Sequence, residues 1–213
     1  MKEPYTKLAL QEKDTDAKGV AIASYKDGKF QTAFKPFSDK FRSAFMSDSK
    51  AAKGGPVDYL VIDYVLPNAD QSFEVTMHKY APRTFVSAAA IKFDKNMNEV
   101  WSVPLPIYFW NPGEYYSYAP MVTDKELCFV YNDHKKNINT VDPREANGLN
   151  DLDNAICVIA RINLATGKIK KEALTGTDDT YLIPGKCYQS NEKEMLLFAK
   201  RKANVNFGKL VFE

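Results

Sequence analysis

Three stretches of this chain repeat one plan, and the plan dictates strands. They are "GVAIASYKDGKFQTAF" (Gly19 to Phe34), "FVSAAAIKFDKNMNEVWSVPL" (Phe85 to Leu105) and "AICVIARINLATGKIKKEAL" (Ala155 to Leu174). Each opens with a run of small and β-branched residues. Each then turns on Asp, Asn or Gly, residues that tolerate a tight reversal, at Asp27-Gly28, "DKNMN" and "ATG". A second run follows with one large apolar residue among polar ones: Phe30, Trp101 or Ile169. In the third stretch Ile159, Arg161 and Asn163 alternate with Val158, Ala160, Ile162 and Leu164, the period of two expected of a half-buried strand.

The segments between the hairpins extend the plan. "YSYAPMVTDKELCFVYND" (Tyr116 to Asp133) predicts two strands turning at Thr123-Asp124-Lys125. A polar loop from Asn132 to Asn154 separates them from the third hairpin, so Tyr116 to Leu174 forms a four-stranded antiparallel unit. "TYLIPGKCYQS", "EMLLFAKR" and "NFGKLVFE" supply three strands of a further unit. Four-stranded antiparallel sheets repeated at this length are the blades of a β-propeller. On that scheme Pro120 and Pro184 mark crossings between blades, and "TKLALQE" near the N-terminus supplies the last sheet's fourth strand. "SDKFRSAFMSDSKAAKG" predicts one helical insertion near 38–53, capped by Ser38, with Phe41, Ala44, Phe45 and Ala52 as an apolar stripe. The expectation is an all-β, propeller-like single domain over residues 1–213, open or incomplete, in which no more than about four blades fit.

From Phe85 to Glu213 the chain resembles uncharacterised bacterial propeller-like repeat proteins. The resemblance rests on "LCFVYND", the polar loop, "VIARINLATGKIKK" and "LIPGKCYQSNEKEMLLFAKR". In that pattern a strand ending in an Asn-Asp pair precedes a hairpin with a Gly-Lys turn. The resemblance implies a fold and a periplasmic or extracellular setting. It carries no catalytic residue.

Composition narrows the function classes. The chain has 29 basic and 27 acidic residues, interspersed, a balance that builds no field for gathering phosphates and argues against nucleic acid. The basic run "FAKRKANVNFGK" reads as a strand end and a Lys-rich turn. No run approaches the ~20 apolar residues that span a bilayer, and the N-terminal sequence does not read as a signal peptide. Cys128, Cys157 and Cys187 are odd in number, which excludes complete internal pairing. They are expected as small buried hydrophobes. No phosphate-cradling Gly loop, G-x-S-x-G elbow or C-x-x-C is present.

Three places could carry chemistry. In "LCFVYNDHKKN", Asp133 adjoins His134, one of two histidines. The pair could act as general base or metal ligand; its plainer reading is the wet end of a strand, with Asn132 and Asp133 accepting hydrogen bonds from the turning backbone. "PIYFWNPGEYYSY" gathers Tyr108, Phe109, Trp110, Tyr115, Tyr116 and Tyr118 around a turn. Rings exposed there would form a stacking platform; rings buried there would pack between units. Glu114 in the same turn could serve a glycosidase with Asp94 or Asp63 as partner, provided the two carboxyls stand at a catalytic separation. In "NGLNDLDN", Asn150, Asp151 and Asp153 offer hard oxygens for calcium, without the order or distal Glu of a calcium loop. His78, with no second ligand at metal spacing, does not suggest zinc.

The reading this supports is a non-enzymatic binding or scaffold module. It recognises a protein or glycan through the rim formed by Tyr108 to Tyr118 and Asn132 to Asn154. The alternatives are a propeller-type glycan hydrolase using paired carboxylates, and a structural piece of a larger assembly with exposed strand edges.

Overall fold

The computed structural model describes residues 6–13, 16–26, 28–81, 84–110, 113–174, 179–201 and 204–212. Asp27 of the first turn, Asn111 and Pro112 of the aromatic turn, and Lys202 of the basic run lie outside these. The fold is all-β; among the described residues it has four antiparallel sheets, two short helices and no closed barrel. The chain packs as two compact units, Met1–Ala81 with Ser87–Leu105, and Pro106–Glu213 with Pro82–Val86.

In the first unit, β1 (Thr6–Lys13), β2 (Asp16–Lys26) and β3 (Lys29–Pro36) lie side by side, and β4 (Val57–Asp58) also pairs with β2. The "TKLALQE" segment therefore belongs to this sheet, where Thr6 to Leu10 pair with Ser24 to Val20. This corrects the expectation that it completes the last sheet. The second sheet is a meander of β5 (Leu60–Pro67), β6 (Phe73–Ala81), β7 (Thr84–Phe93) and β8 (Glu99–Leu105). The expected turn chemistry is present at both hairpins. Gly28 takes φ 78°, and Asp94 accepts the N–H groups of Asn96 and Asn98, each at 2.8 Å. The core of this unit joins Val20 and Ile22 of β2, Val75 and Met77 of β6, and Ile91 and Phe93 of β7.

The helical insertion is two single-turn helices, α1 (Asp39–Ser43) and α2 (Asp48–Ala52), rather than one helix over 38–53. Ser38 caps the first, its Oγ accepting Phe41 N–H at 3.2 Å. The break falls where Ser47 takes an extended conformation and starts the second. Burial explains it: Phe37, Phe41, Phe45 and Ala51 all enter the core, and a bent path aims all four inward. Arg42 secures the bend, its Nε donating to Ala51 O at 3.1 Å and its guanidinium to Phe37 O.

In the second unit β9 (Tyr118–Val122), β10 (Glu126–His134), β11 (Ala155–Asn163) and β12 (Ile169–Ala173) form the four-stranded sheet expected over Tyr116 to Leu174. Thr123 shapes the first turn, its Oγ1 accepting Glu126 N–H at 3.0 Å. Gly167, at φ 68°, closes the third hairpin. The half-burial expected of β11 holds only at its end. Cys157 through Ala160 are buried on both faces, and exposure begins at Arg161 and Asn163. Pro120 lies inside β9, opposite Phe129, not at a crossing. Among the described residues β9 pairs only with β10, and an edge strand tolerates a residue without an N–H.

The last sheet centres on β15 (Glu194–Arg201). β16 (Asn204–Val211) lies along one edge, and β13 (Tyr181–Leu182) and β14 (Tyr188–Asn191) share the other. Pro184 opens the short turn that splits these two. The expected three-strand width is present, with its first strand in two pieces. This sheet packs on the third through Met121, Cys128, Val130, Cys157 and Ile159 against Leu182, Met195 and Ala199. Cys128 and Cys157 are buried and Cys187 is partly buried, and all three are free thiols. Burial pushes the Cys128 thiol up to about 12, which suits a packed hydrophobe and not a nucleophile.

Candidate functional site

All seven sequence-derived site residues lie in the second unit, and its backbone brings their two loops together. Phe109 and Leu149 form a parallel bridge. Leu149 N–H donates to Tyr108 O at 2.8 Å and Trp110 N–H donates to Leu149 O at 3.2 Å. Phe109 and Leu149 are themselves fully buried. The aromatic loop is thus stapled to the polar loop at one buried point.

The staple sets the rings. Tyr108 and Trp110 flank Phe109 and approach each other with centroids 5.3 Å apart. Both cross Gly148: a methyl group built there would sit 2.1 Å from Trp110 Nε1 and 3.1 Å from Tyr108 Cδ1. Only glycine permits that approach. Trp110 nevertheless keeps 49% of its surface exposed. Of the six rings, Phe109 and Tyr118 are core, Tyr108, Tyr115 and Tyr116 are half-buried, and Trp110 is exposed.

Tyr115 belongs to a second cluster, with Tyr181 6.4 Å away edge to face and Lys200 Nζ 6.0 Å above its ring. Glu114 forms an ion pair with Lys200 at 2.9 Å. The Lys200 hydrogen bond, then that of Tyr115, holds the Glu114 carboxyl below its ordinary range. A glycosidase acid must keep its proton near neutrality, so this environment works against that role. Asp63 and Asp94, the partners considered from sequence, belong to the first unit and are engaged locally. Asp63, in the β-bulge between Ile62 and Tyr64, meets His78 Nδ1 at 2.7 Å.

Asp133 is not the wet end of a strand. It is 1% exposed. Its Oδ2 meets Lys171 Nζ at 2.6 Å, and the Lys171 side chain is 3% exposed. Its Oδ1 accepts His134 N–H and Asn137 Nδ2, each at 2.8 Å. Burial raises the Asp133 carboxyl above its ordinary value, against the opposing pull of Lys171. His134 turns away from this network: its Nδ1 accepts Lys136 N–H at 3.1 Å and caps a short turn. The Asp133-His134 pair is therefore not a side-chain dyad, and the partner of Asp133 lies on β12.

Asn137 and Lys171, which sequence reasoning passed over, complete the network together with Asn132. Asn137 donates to Asn147 O at 2.9 Å and accepts Asn147 N–H at 2.8 Å, which holds the polar loop next to Gly148. Lys171 also donates to Asn137 O at 2.8 Å. Asn132 donates to Tyr115 O at 2.8 Å and to Leu182 O at 2.9 Å, and accepts Leu182 N–H at 2.9 Å. One strand end thus fixes the polar loop, the aromatic loop and β13. The sequence signal was only the Asn-Asp ending of β10. Lys171 sits in "KIKKEAL", where nothing local marks it as buried.

Tyr131 lies on the same strand, wholly buried, and its hydroxyl has no hydrogen-bond partner among the described residues. An unpaired buried hydroxyl costs ~1–3 kcal/mol. Tyr131→Phe is therefore expected to leave the melting temperature unchanged or raise it. A clear fall would show that the hydroxyl holds a bridging water.

One of the calcium candidates is engaged within its own loop. Asp151 Oδ1 accepts Asp153 N–H at 3.0 Å and caps a short turn. Among the described residues no group of three or more His, Cys, Asp or Glu side chains comes together. Likewise, no helix among them is long and apolar enough to cross a membrane. No family model, curated protein or solved structure matches the chain.

Proposed function

We propose that the second unit is a non-enzymatic binding module, and that its ligand is a glycan seated on the Trp110 rim. The observation that carries this is an exposed indole on a fixed backbone. Trp110 is half exposed, yet its N–H bond to Leu149 O beside the Phe109–Leu149 bridge and the Gly148 contact leave it little freedom. A flat ring held in place loses little entropy when a sugar face stacks on it. Asn150, Asp151 and Asp153, all on the polar loop, supply hydrogen-bonding groups within a few residues of the staple. The blade-like sheets support a propeller-type scaffold that displays loops at a rim.

The test is thermal melting against oligosaccharides, with peptides and divalent metals in parallel. A ligand that binds only the folded state raises the midpoint by mass action. A glycan shift is expected, and Trp110→Ala should weaken binding by about tenfold or more, as removal of a central aromatic anchor does. A shift with peptides alone would replace the glycan by a protein partner. A calcium shift that Asp151→Asn abolishes would assign the polar loop to a metal.

A further inference from the structure

One buried carboxylate in the second unit holds an amine on one oxygen and a carboxamide on the other. Asp133 Oδ2 meets Lys171 Nζ at 2.6 Å, and Asp133 Oδ1 accepts Asn137 Nδ2 at 2.8 Å. The Lys171, Asp133 and Asn137 side chains are all buried. Lys171 Nζ also donates to the backbone oxygen of Asn137 at 2.8 Å, which seats the amine against the residue that carries the carboxamide. The carboxamide is polarised at its oxygen: Asn137 Oδ1 accepts Asn147 N–H at 2.8 Å and Asn147 Nδ2 at 3.0 Å. The wholly buried Tyr131 ring lies 6.0 Å from Nζ.

These are the parts that amide-bond formation needs. A desolvated lysine is a nucleophile once it gives up a proton, and Asp133 is placed to take it. Two donors stand where negative charge would gather on the carboxamide oxygen. The same carboxylate touches the leaving nitrogen and can return a proton to it. Groups held together in this way react at an effective concentration of about 10⁵ M or more when their geometry is good. We propose that Lys171 and Asn137 become joined by a side-chain amide bond, made by the folded chain itself. Asp133 takes one proton from the Lys171 ammonium, and Nζ attacks Asn137 Cγ. Asp133 passes that proton to Nδ2 and takes a second from Nζ. The Nζ–Cγ bond forms, the Cγ–Nδ2 bond breaks, and Nδ2 leaves as ammonia. Asp133 ends as a neutral acid, and burial, which raises its carboxyl above the ordinary value, favours that form. The ion pair is the state before the bond forms. Asp133 is itself the poorer acceptor, because a carboxylate repels a nucleophile. Among the described residues Lys171 pairs with no second carboxylate that could carry protons for an attack on Asp133. The bond ties the polar loop to β12 and closes the chain between 137 and 171, which constrains the unfolded state as any cross-link does.

The experiment is the intact mass of the purified full chain, followed by trypsin digestion. The chain should be lighter than its sequence by the mass of one ammonia, and the tryptic peptides 137–144 and 171–186 should be recovered as one joined species. Lys171→Arg and Asn137→Ala should each return the full mass. So should Asp133→Ala, which keeps both reacting groups and removes the proton carrier. Circular dichroism shows whether each variant folds, and the wild-type result decides the matter without them. A folded wild type that stays at its full mass through prolonged incubation, with no joined peptide, would overturn the proposal. A loss of ammonia confined to one peptide, as Asn147-Gly148 gives by closing on its own backbone, would do the same. So would a loss of one water with peptide 126–135 as the joined partner, which would put the bond on Asp133.

Discussion

Replacing Lys171 by Met should destabilise the protein by about 3–5 kcal/mol, because it leaves a carboxylate buried without its counter-charge. Asp133 and Lys171 are both almost wholly buried, and their 2.6 Å contact is the only ion pair of Asp133 among the described residues. At this chain length a loss of that size lowers the melting temperature by roughly 6–20 °C. Solvent cannot rescue the charge as it would at a surface pair. The double variant Lys171→Met, Asp133→Leu should recover a large part of the loss, since a buried pair replaced by apolar groups of similar volume is often near neutral. Urea unfolding of the single and double variants measures this. A single variant within about 1 kcal/mol of wild type would show that water reaches Asp133.

Asn132→Asp should cost about 2–5 kcal/mol, although it exchanges only an NH2 for an oxygen. The amide donates to Tyr115 O and Leu182 O, and a carboxylate in its place would face two carbonyls with nothing to donate. The bond from Leu182 N–H to Oδ1 survives the change, so the loss isolates the two donated bonds. Asn132→Asp should also free the Tyr115 segment and weaken any ligand that depends on the aromatic loop. Melting temperature and ligand-induced shift, measured together, separate the two effects. An unchanged melting temperature with all ligand shifts intact would mean that neither bond matters.

What could be read in the sequence was local. The hairpins at Gly28 and Gly167 are legible because a turn residue and a period of two lie within a dozen positions of each other. The four-stranded unit from Tyr116 to Leu174 follows by the same logic. The helical insertion was legible as helix-forming, but not as two turns, because its break is set by where Phe41, Phe45 and Ala51 must point in the core. The N-terminal strand was legible as a strand, but its partner was not: pairing with β2 depends on which sheet lies nearest in space. Asp133 fared worst. A solvated turn and a buried ion pair share the same short sequence, and the deciding residue, Lys171, is 38 positions away. The joining of the aromatic and polar loops was expected as a shared rim; its cause, the Phe109–Leu149 bridge beside a glycine, had no mark in the sequence.

That bridge has a kinetic consequence. Amides in surface loops usually exchange their hydrogens quickly, because small local openings expose them. The Trp110 and Leu149 amides lie in loops but donate to each other's segment. To release either one, the polar and aromatic loops must part, and the Asn137 and Asn132 contacts beside them come under the same strain. The two loops should therefore exchange as a single cooperative patch, at a rate closer to that of the third sheet than to that of a free turn.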